Sequence, residues 1–249
     1  MREFGLIGYP LKHAYSQIYF EEKFKNENIK DAKYTLFPIS EISKLLNIIK
    51  SKDNLIGLNV TTPYKELVLP YLNEIDKSVL NIGTVNTIKI ERNEKESKLI
   101  GYNTDIYGLR KTFEKVNLPQ KTKALILGSG GSGKTVKFVL KELGIKSTTV
   151  SRNPKNLSEL SYKNITESVI KHHNLIINAS PVGMYPNIEK CPNISYEYIK
   201  DSHICFDLVY NPELTLFLKN CGDRGAKCIN GFTMLYEQAD RAWEIWNKD

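Results

Sequence analysis

Lys123-Ala124-Leu125-Ile126-Leu127-Gly128-Ser129-Gly130-Gly131-Ser132-Gly133-Lys134-Thr135 is the stretch on which the fold turns. An aliphatic run, with the look of a buried strand, feeds straight into a glycine-rich loop. Beyond it Val136, Val139, Leu140 and Leu143 recur at i, i+3, i+4 and i+7, the spacing of one helical face. In a strand–loop–helix unit of this kind, glycines let backbone N–H groups approach a phosphate at the helix N-terminus, where the macrodipole favours negative charge. The loop satisfies two phosphate-binding patterns at once. It reads G-x-G-x-x-G from Gly128, and G-x-x-x-x-G-K-T over the same residues.

A second feature separates a dinucleotide from a nucleoside triphosphate. In a Rossmann unit the end of the next strand reads the adenine ribose. Here that strand, Ser147–Val150, is followed by Ser151-Arg152-Asn153-Pro154-Lys155. An acidic residue would suit the free 2′-hydroxyl of NAD, whereas Arg152 and Lys155 suit the 2′-phosphate of NADP. For a P-loop nucleotide hydrolase, Asp207 at the end of Ile204-Cys205-Phe206-Asp207 could imitate a metal-binding strand-end carboxylate. It lies far down the chain, and nothing else resembles a switch or sensor. The dinucleotide reading is the stronger, with Lys134 then an exposed first-turn residue.

Outward from the loop, strand-like and helix-period segments alternate. Before it come strands at Phe4–Ile7, Tyr34–Phe37 and Leu55–Val60, and a helix from about Ser16 to Glu27. Ser40 is placed to cap a helix carrying Ile42, Leu45, Leu46 and Ile49. Asn86–Ile90 and Lys98–Tyr102 form a hairpin around the charged tip Glu91-Arg92-Asn93-Glu94-Lys95-Glu96-Ser97-Lys98. The pattern restarts near residue 105 with Ile106, Leu109 and Phe113 on one helical face. Leu175–Asn178 and Ile204–Leu208 follow as buried strands, and a last helix runs from about Gly231 to Trp246. Such alternation predicts an α/β protein with parallel sheets and βαβ units, in two lobes with a ligand cleft between them.

Two polar segments sit where strands end: Asn59-Val60-Thr61-Thr62-Pro63-Tyr64-Lys65 and Gly101-Tyr102-Asn103-Thr104-Asp105. Open α/β sheets place ligands at the carboxyl ends of strands. Lys65 and Asp105 are therefore candidates for a proton-transfer pair facing one ligand.

The 249 residues, 41% hydrophobic and 25% charged, are ordinary for a globular chain. No apolar run reaches the ~20 residues that span a bilayer, and the amino terminus lacks a signal-peptide layout. The expectation is a cytoplasmic protein without a membrane partner. Four cysteines with no C-x-x-C pair indicate neither a zinc site nor a disulfide framework; reduced thiols are expected. The net charge of +7 is spread over lysines interleaved with glutamates, which argues against a nucleic-acid stripe.

Taken in order, several segments resemble the shikimate dehydrogenase (shikimate/quinate dehydrogenase) family. They are Gly8-Tyr9-Pro10-Leu11-Lys12-His13-Ala14-Tyr15-Ser16, Gly57–Lys65, Gly83-Thr84-Val85-Asn86-Thr87, Gly101–Asp105 and the glycine-rich loop. Asn178-Ala179-Ser180-Pro181-Val182-Gly183-Met184, Asp207-Leu208-Val209-Tyr210-Asn211-Pro212 and Asn230-Gly231-Phe232-Thr233-Met234-Leu235-Tyr236-Glu237-Gln238 complete the set. The resemblance implies an N-terminal α/β substrate-binding domain (1–104), a Rossmann NADP-binding domain (105–235) and a C-terminal helix (236–249) returning to the first domain. It implies reversible reduction of 3-dehydroshikimate to shikimate with NADPH, on the route to chorismate and aromatic amino acids, by a monomer or homodimer.

By the same resemblance Lys65 and Asp105 are catalytic, and Ser16, Asn59, Thr61, Asn86, Tyr210 and Gln238 hold the substrate. Gly128, Ser129, Gly130, Gly131, Ser132, Ser151 and Arg152 bind the adenine and phosphate side of the cofactor. Ser180, Leu208, Gly231 and Met234 lie near its nicotinamide half. The chain also departs from the family. Ala14 replaces one of two serines that bind the substrate carboxylate, Gln17 replaces a proline, and Phe20 replaces a histidine. Losing a hydroxyl to a carboxylate costs ~1.5–3 kcal/mol unless Tyr15, Lys12 or a water substitutes. A preference for quinate or a related cyclic hydroxy acid is therefore the alternative. Gly133 stands where the family favours alanine, and is expected to loosen the helix start.

Overall fold

The structure, a computed structural model, describes residues 1–11, 14–93, 96–154 and 157–248. The expectations for Lys12, His13, Glu94, Lys95 and Lys155 fall outside them. The chain folds as two compact units, one made of Met1–Tyr107 with Tyr236–Asp249 and the other of Gly108–Leu235.

The first unit carries β1 (Arg2–Gly8), α1 (Tyr15–Asn26), β2 (Ala32–Pro38), α2 (Leu45–Lys50), β3 (Leu55–Val60), α3 (Tyr64–Leu67), β4 (Glu74–Ile75), α4 (Lys77–Leu80), β5 (Thr87–Arg92) and β6 (Ser97–Tyr102). Its sheet has the order β2-β1-β3-β5-β6-β4. Strands β1, β2 and β3 are parallel, while β3–β5 and the β5–β6 hairpin are antiparallel. The period-2 pattern of β1 sends Phe4 and Leu6 to one face and Ile7 to the other. On one face Ile7, Leu55, Leu58, Val60, Ile88 and Leu99 form a core with α2 and α3 residues. On the other, Phe4, Leu6, Phe20, Phe24 and Tyr34 pack with Ala239, Ala242, Ile245 and Trp246 of the last helix, α9 (Phe232–Asn247).

That return of α9 has a local cause in Gly57. A Cβ there would stand 2.2 Å from the Trp246 indole nitrogen, so only glycine admits the ring. The indole N–H then donates to the Ile88 carbonyl at 3.0 Å. Ser40 does not cap a helix. Ile42–Lys44 is a 3-10 turn preceded by Glu41, and the Ser40 hydroxyl instead accepts from Lys44 Nζ.

After β6 in the chain, α5 runs Asp105–Val116. The second unit then has β7 (Lys123–Leu127), α6 (Gly131–Glu142), β8 (Lys146–Ser151), β9 (Glu159–Ser161), α7 (Glu167–His172), β10 (Leu175–Asn178), β11 (Ile204–Asp207), α8 (Leu216–Gly222) and β12 (Lys227–Ile229). All its strands are parallel, in the order β12-β11-β10-β7-β8-β9. This is the doubly-wound dinucleotide-binding order, with the strand order reversing between β7 and β10. Leu125, Leu127, Val150, Ile170, Ile176, Phe217 and Leu218 lie in its core.

Candidate active site

Antiparallel register assembles the site in the first unit. Asn59 of β3 lies opposite Thr87 of β5, and Thr87 lies opposite Tyr102 of β6. The residues just beyond these strand ends, Asn86 on one side and Thr104 and Asp105 on the other, are thereby brought together. Lys65 is delivered by α3, which starts after a turn closed by Tyr64 N–H donating to the Thr61 carbonyl at 2.9 Å. The Tyr64 hydroxyl anchors that turn on the Ile39 carbonyl at 2.6 Å, and Val85 N–H donates to the Lys65 carbonyl at 2.8 Å.

The Lys65 ammonium donates to Asp105 Oδ2 at 2.6 Å. The lysine side chain is 19% exposed and the carboxylate 7%. This is a half-buried pair, with one partner reachable by a ligand. Asp105 Oδ1 accepts from Asn86 Nδ2 at 2.9 Å. Asn86 is fixed in turn, because its Oδ1 accepts the Thr104 backbone N–H at 2.7 Å and its Nδ2 lies 3.3 Å from Gln238 Oε1. Four of the expected residues, Lys65, Asp105, Asn86 and Gln238, thus belong to one connected network.

Asn59 belongs to the layer behind. Its amide protons reach the Asn86 carbonyl (3.3 Å) and Thr87 Oγ1 (3.2 Å), and its Oδ1 accepts from the Tyr34 hydroxyl at 2.8 Å. With its donors spent inside the protein, it supports Asn86 instead of presenting an amide outward. Thr87 is fully buried, and its Oγ1 also lies 3.2 Å from Asn86 Oδ1 and 3.1 Å from Thr104 Oγ1. Neither Thr87, Thr104 nor Tyr34 was singled out from the sequence. The available signal was a threonine next to Asn86 at the head of a strand carrying Ile88 and Ile90, since a buried hydroxyl demands a hydrogen-bond partner.

Thr61 and Ser16 are partly exposed, and among the described residues neither hydroxyl has a partner. Ser16 lies in the first turn of α1, two residues after Ala14, which holds the N-cap position in extended backbone without a side-chain cap. Gln17 Nε2 donates along the helix to Glu21. Phe20 is fully buried and stacks on Tyr34 at 4.5 Å, so the position is filled as core.

In the second unit the residues expected to bind the cofactor follow the carboxyl ends of the parallel strands. Gly128 N–H donates to the Val150 carbonyl at 2.9 Å, and Gly128 takes a φ of 127°, a left-handed value suited to glycine. Gly130 caps α6, with Gly131 and Ser132 in its first turn. A Cβ on Gly130 would meet nothing within 4 Å, so the helix N-terminus faces open space fit for a phosphate. Gly133 does not loosen the helix start. A Cβ there would lie 2.1 Å from the Gly128 carbonyl oxygen, so glycine is what lets loop and helix close together. Ser129 Oγ donates to Ser151 Oγ at 3.0 Å, which also accepts Asn153 N–H. Arg152 is exposed at the end of β8, with no acidic residue beside it in sequence. Ser180 and Leu208 are partly exposed on the loops after β10 and β11, Gly231 and Met234 are buried at the start of α9, and the Tyr210 ring lies 6.1 Å from Phe232.

The triphosphate reading loses its supports. Thr135 is buried, and its hydroxyl donates back to the Gly131 carbonyl. Asp207 is fully buried, its oxygens taken by three donors within the protein. Lys134 is exposed in the first helical turn.

Comparison with known proteins agrees with this geometry. The family model for the shikimate dehydrogenase substrate binding domain matches residues 6–88. A relative from Methanococcus vannielii, "Shikimate dehydrogenase (NADP(+))", is 38% identical, covering 97% of this chain and 90% of its own. The chain belongs to the shikimate dehydrogenase family. The crystal structure of shikimate dehydrogenase from Aquifex aeolicus superposes with a TM-score of 0.87 at 30% identity, covering 99% of this chain and 92% of that one. The Thermus thermophilus enzyme, solved in complex with NADP(H) and shikimate, does so with a TM-score of 0.86 at 26% identity, covering 99% and 94%. These matches do not support the P-loop hydrolase reading, and the expected fold class stands. Among the described residues no helix is long and apolar enough to cross a membrane, and all four cysteines are free.

Proposed function

We propose that this chain is an NADP-dependent shikimate dehydrogenase that reversibly reduces 3-dehydroshikimate to shikimate. The observation that carries the reading is the Lys65–Asp105 pair, tied through Asn86 to Gln238. NADPH, when bound, supplies the hydride to the carbonyl carbon. The carbonyl oxygen must then gain a proton, and the Lys65 ammonium is the donor. As the hydroxyl forms, Lys65 becomes an amine, held in place by Asp105, and it regains a proton from water at its exposed edge. In the oxidative direction the amine accepts the alcohol proton. Asp105 keeps the ammonium oriented through Oδ2, while Asn86 occupies Oδ1 and prevents the carboxylate from rotating.

Asn86, Thr61 and Gln238 hold ring hydroxyls, and Ser16 meets the substrate carboxylate. Tyr210 contributes a further substrate contact from the loop after β11. Gly128–Ser132 cradle the pyrophosphate, Ser151 and Arg152 receive the 2′-phosphate, and Ser180, Leu208, Gly231 and Met234 flank the nicotinamide. Free thiols suit a reducing compartment, and we place the enzyme in the cytoplasm, as a monomer or homodimer.

The test is NADPH absorbance with 3-dehydroshikimate as acceptor. Wild type turns over, and Lys65→Ala loses at least ~10²-fold in kcat, the general-acid contribution, with the Kd of NADP+ unchanged. Turnover of Lys65→Ala near wild type refutes the assignment. Running shikimate and quinate side by side tests the substrate, and a higher kcat/KM for quinate overturns the shikimate reading.

A further inference from the structure

Asp207, set aside as a metal ligand, is a fully buried carboxylate that among the described residues has no ion-pair partner. Burying such a group is costly unless hydrogen bonds compensate, and here three donors converge on it. Asn178 Nδ2 and the Val209 backbone N–H donate to Oδ1, each at 2.9 Å, and the Thr215 hydroxyl donates to Oδ2 at 2.6 Å. Each donor leads to a different segment. Asn178 ends β10, directly across from Asp207 in register. Its Oδ1 accepts the Ser180 N–H (3.1 Å) and hydroxyl (2.7 Å), and its Nδ2 also reaches the Val182 carbonyl. Val209 follows Leu208, whose N–H donates to the Asn178 carbonyl at 3.0 Å. Thr215 caps α8 by accepting the Leu218 N–H.

These loops are packed to contact on either side. A Cβ on Gly231 would stand 2.4 Å from the Leu208 carbonyl oxygen, and one on Gly128 3.0 Å from that of Ala179. Any shift of the Asp207 carboxylate therefore moves Ser180 and Leu208 together.

We propose that Asp207, acting through Asn178 and Thr215, is a positioning residue that clamps the loops after β10 and β11, and so sets the nicotinamide-side wall of the cofactor site. The inference rests on the reading of the second unit as the NADP-binding one. The clamp tolerates a neutral carboxyl, because a proton on Oδ2 can be donated to Thr215 Oγ1 while Oδ1 still accepts both N–H groups. An asparagine reproduces that pattern, with its amide donating to Thr215, whereas an alanine abolishes it.

The experiment compares the Kd of NADP+ with that of 2′,5′-ADP, which carries only the adenine side, by titration calorimetry on the full chain. Asp207→Ala is expected to weaken NADP+ about tenfold and to leave 2′,5′-ADP within twofold; Asp207→Asn stays within threefold of wild type for both. A general loosening of the unit would move both ligands together, and that result overturns the proposal, as does an unchanged NADP+ affinity or an asparagine as harmful as alanine. Should Asp207→Ala not fold, Thr215→Val decides. A threefold or greater rise in the NADP+ to 2′,5′-ADP ratio supports the clamp, and an unchanged ratio overturns it. Wild-type protein that fails to bind NADP+ overturns the functional reading and the clamp with it, a result distinct from normal binding with unmoved ratios.

Discussion

Thr87→Val is a sharp probe of how the active site is held. The side chain is fully buried, and valine keeps its shape while removing one hydroxyl. That hydroxyl accepts from Asn59 Nδ2 at 3.2 Å and lies within 3.2 Å of Asn86 Oδ1 and 3.1 Å of Thr104 Oγ1. Without it, Asn59 keeps one acceptor, the Asn86 carbonyl at 3.3 Å, for two amide protons. An unsatisfied buried donor costs about 1–3 kcal/mol, and the urea midpoint should fall by the corresponding amount. Asn86 retains its bond from the Thr104 N–H but loses lateral support, so Asp105 and Lys65 are less sharply aimed. A loss of ~1.4 kcal/mol in transition-state stabilisation lowers kcat/KM for 3-dehydroshikimate tenfold, while the KM for NADPH stays put. Thr87→Ser separates the causes, since it gives up a methyl group at ~0.8 kcal/mol but keeps the hydroxyl, and should retain catalysis. A valine variant with wild-type stability and kcat/KM, or a serine variant as catalytically impaired as the valine, refutes the reasoning.

Two further outcomes follow from burial and packing. Burial raises the Asp207 carboxyl from 3.8 to about 7, with hydrogen bonds from Thr215, Val209 and Asn178 opposing. The ionised form is therefore disfavoured in the folded state, and the favourable contribution of this group is complete below pH 3.8 and lost as the pH rises through about 7. Urea midpoints of wild type should thus fall relative to Asp207→Asn between pH 4.5 and 7.5, and parallel curves would contradict this. Gly57→Ala forces a methyl group to 2.2 Å from the Trp246 indole nitrogen; overpacking of this kind costs about 1–3 kcal/mol, and urea unfolding followed by tryptophan emission should show it.

What was legible in the sequence was whatever periodicity or glycine spacing dictates. The strand into Gly128 and the helical face Val136–Leu143 define β7 and α6, and the alternation beyond them defines a parallel sheet. Short elements were not visible. β4 has two residues, β9 and β12 three each, too few for a period to register, and they exist because a neighbouring strand offers its edge. Ser40 misled because a good capping residue does not start a helix when the next turn is 3-10. Within the site, side chains aimed at a ligand were easier to name than those behind them. Lys65 and Asp105 are charged residues after apolar strands, whereas Thr87 and Tyr34 declare themselves only when register places them opposite Asn59.

The replacement of a polar residue by Phe20 acquires a physical meaning in that second layer. Phe20 stacks on Tyr34 at 4.5 Å and lies 5.5 Å from Trp246, whose indole in turn fits over Gly57. The aromatic cluster between α1, the sheet and α9 thus grips the Tyr34 ring on its apolar side. The same ring's hydroxyl donates to Asn59, which reaches Thr87, and Thr87 lies beside Asn86. Aromatic packing restricts a ring far more than it restricts a long flexible side chain, so the position of the Tyr34 hydroxyl is set by the hydrophobic core and not by solvent. One continuous chain of contacts runs from Trp246 and Phe20 through Tyr34, Asn59 and Thr87 to the Asn86 amide that donates to Asp105. The last helix, α9, thus meets this network at two points, through Gln238 beside Asn86 and through Trp246 in the aromatic cluster.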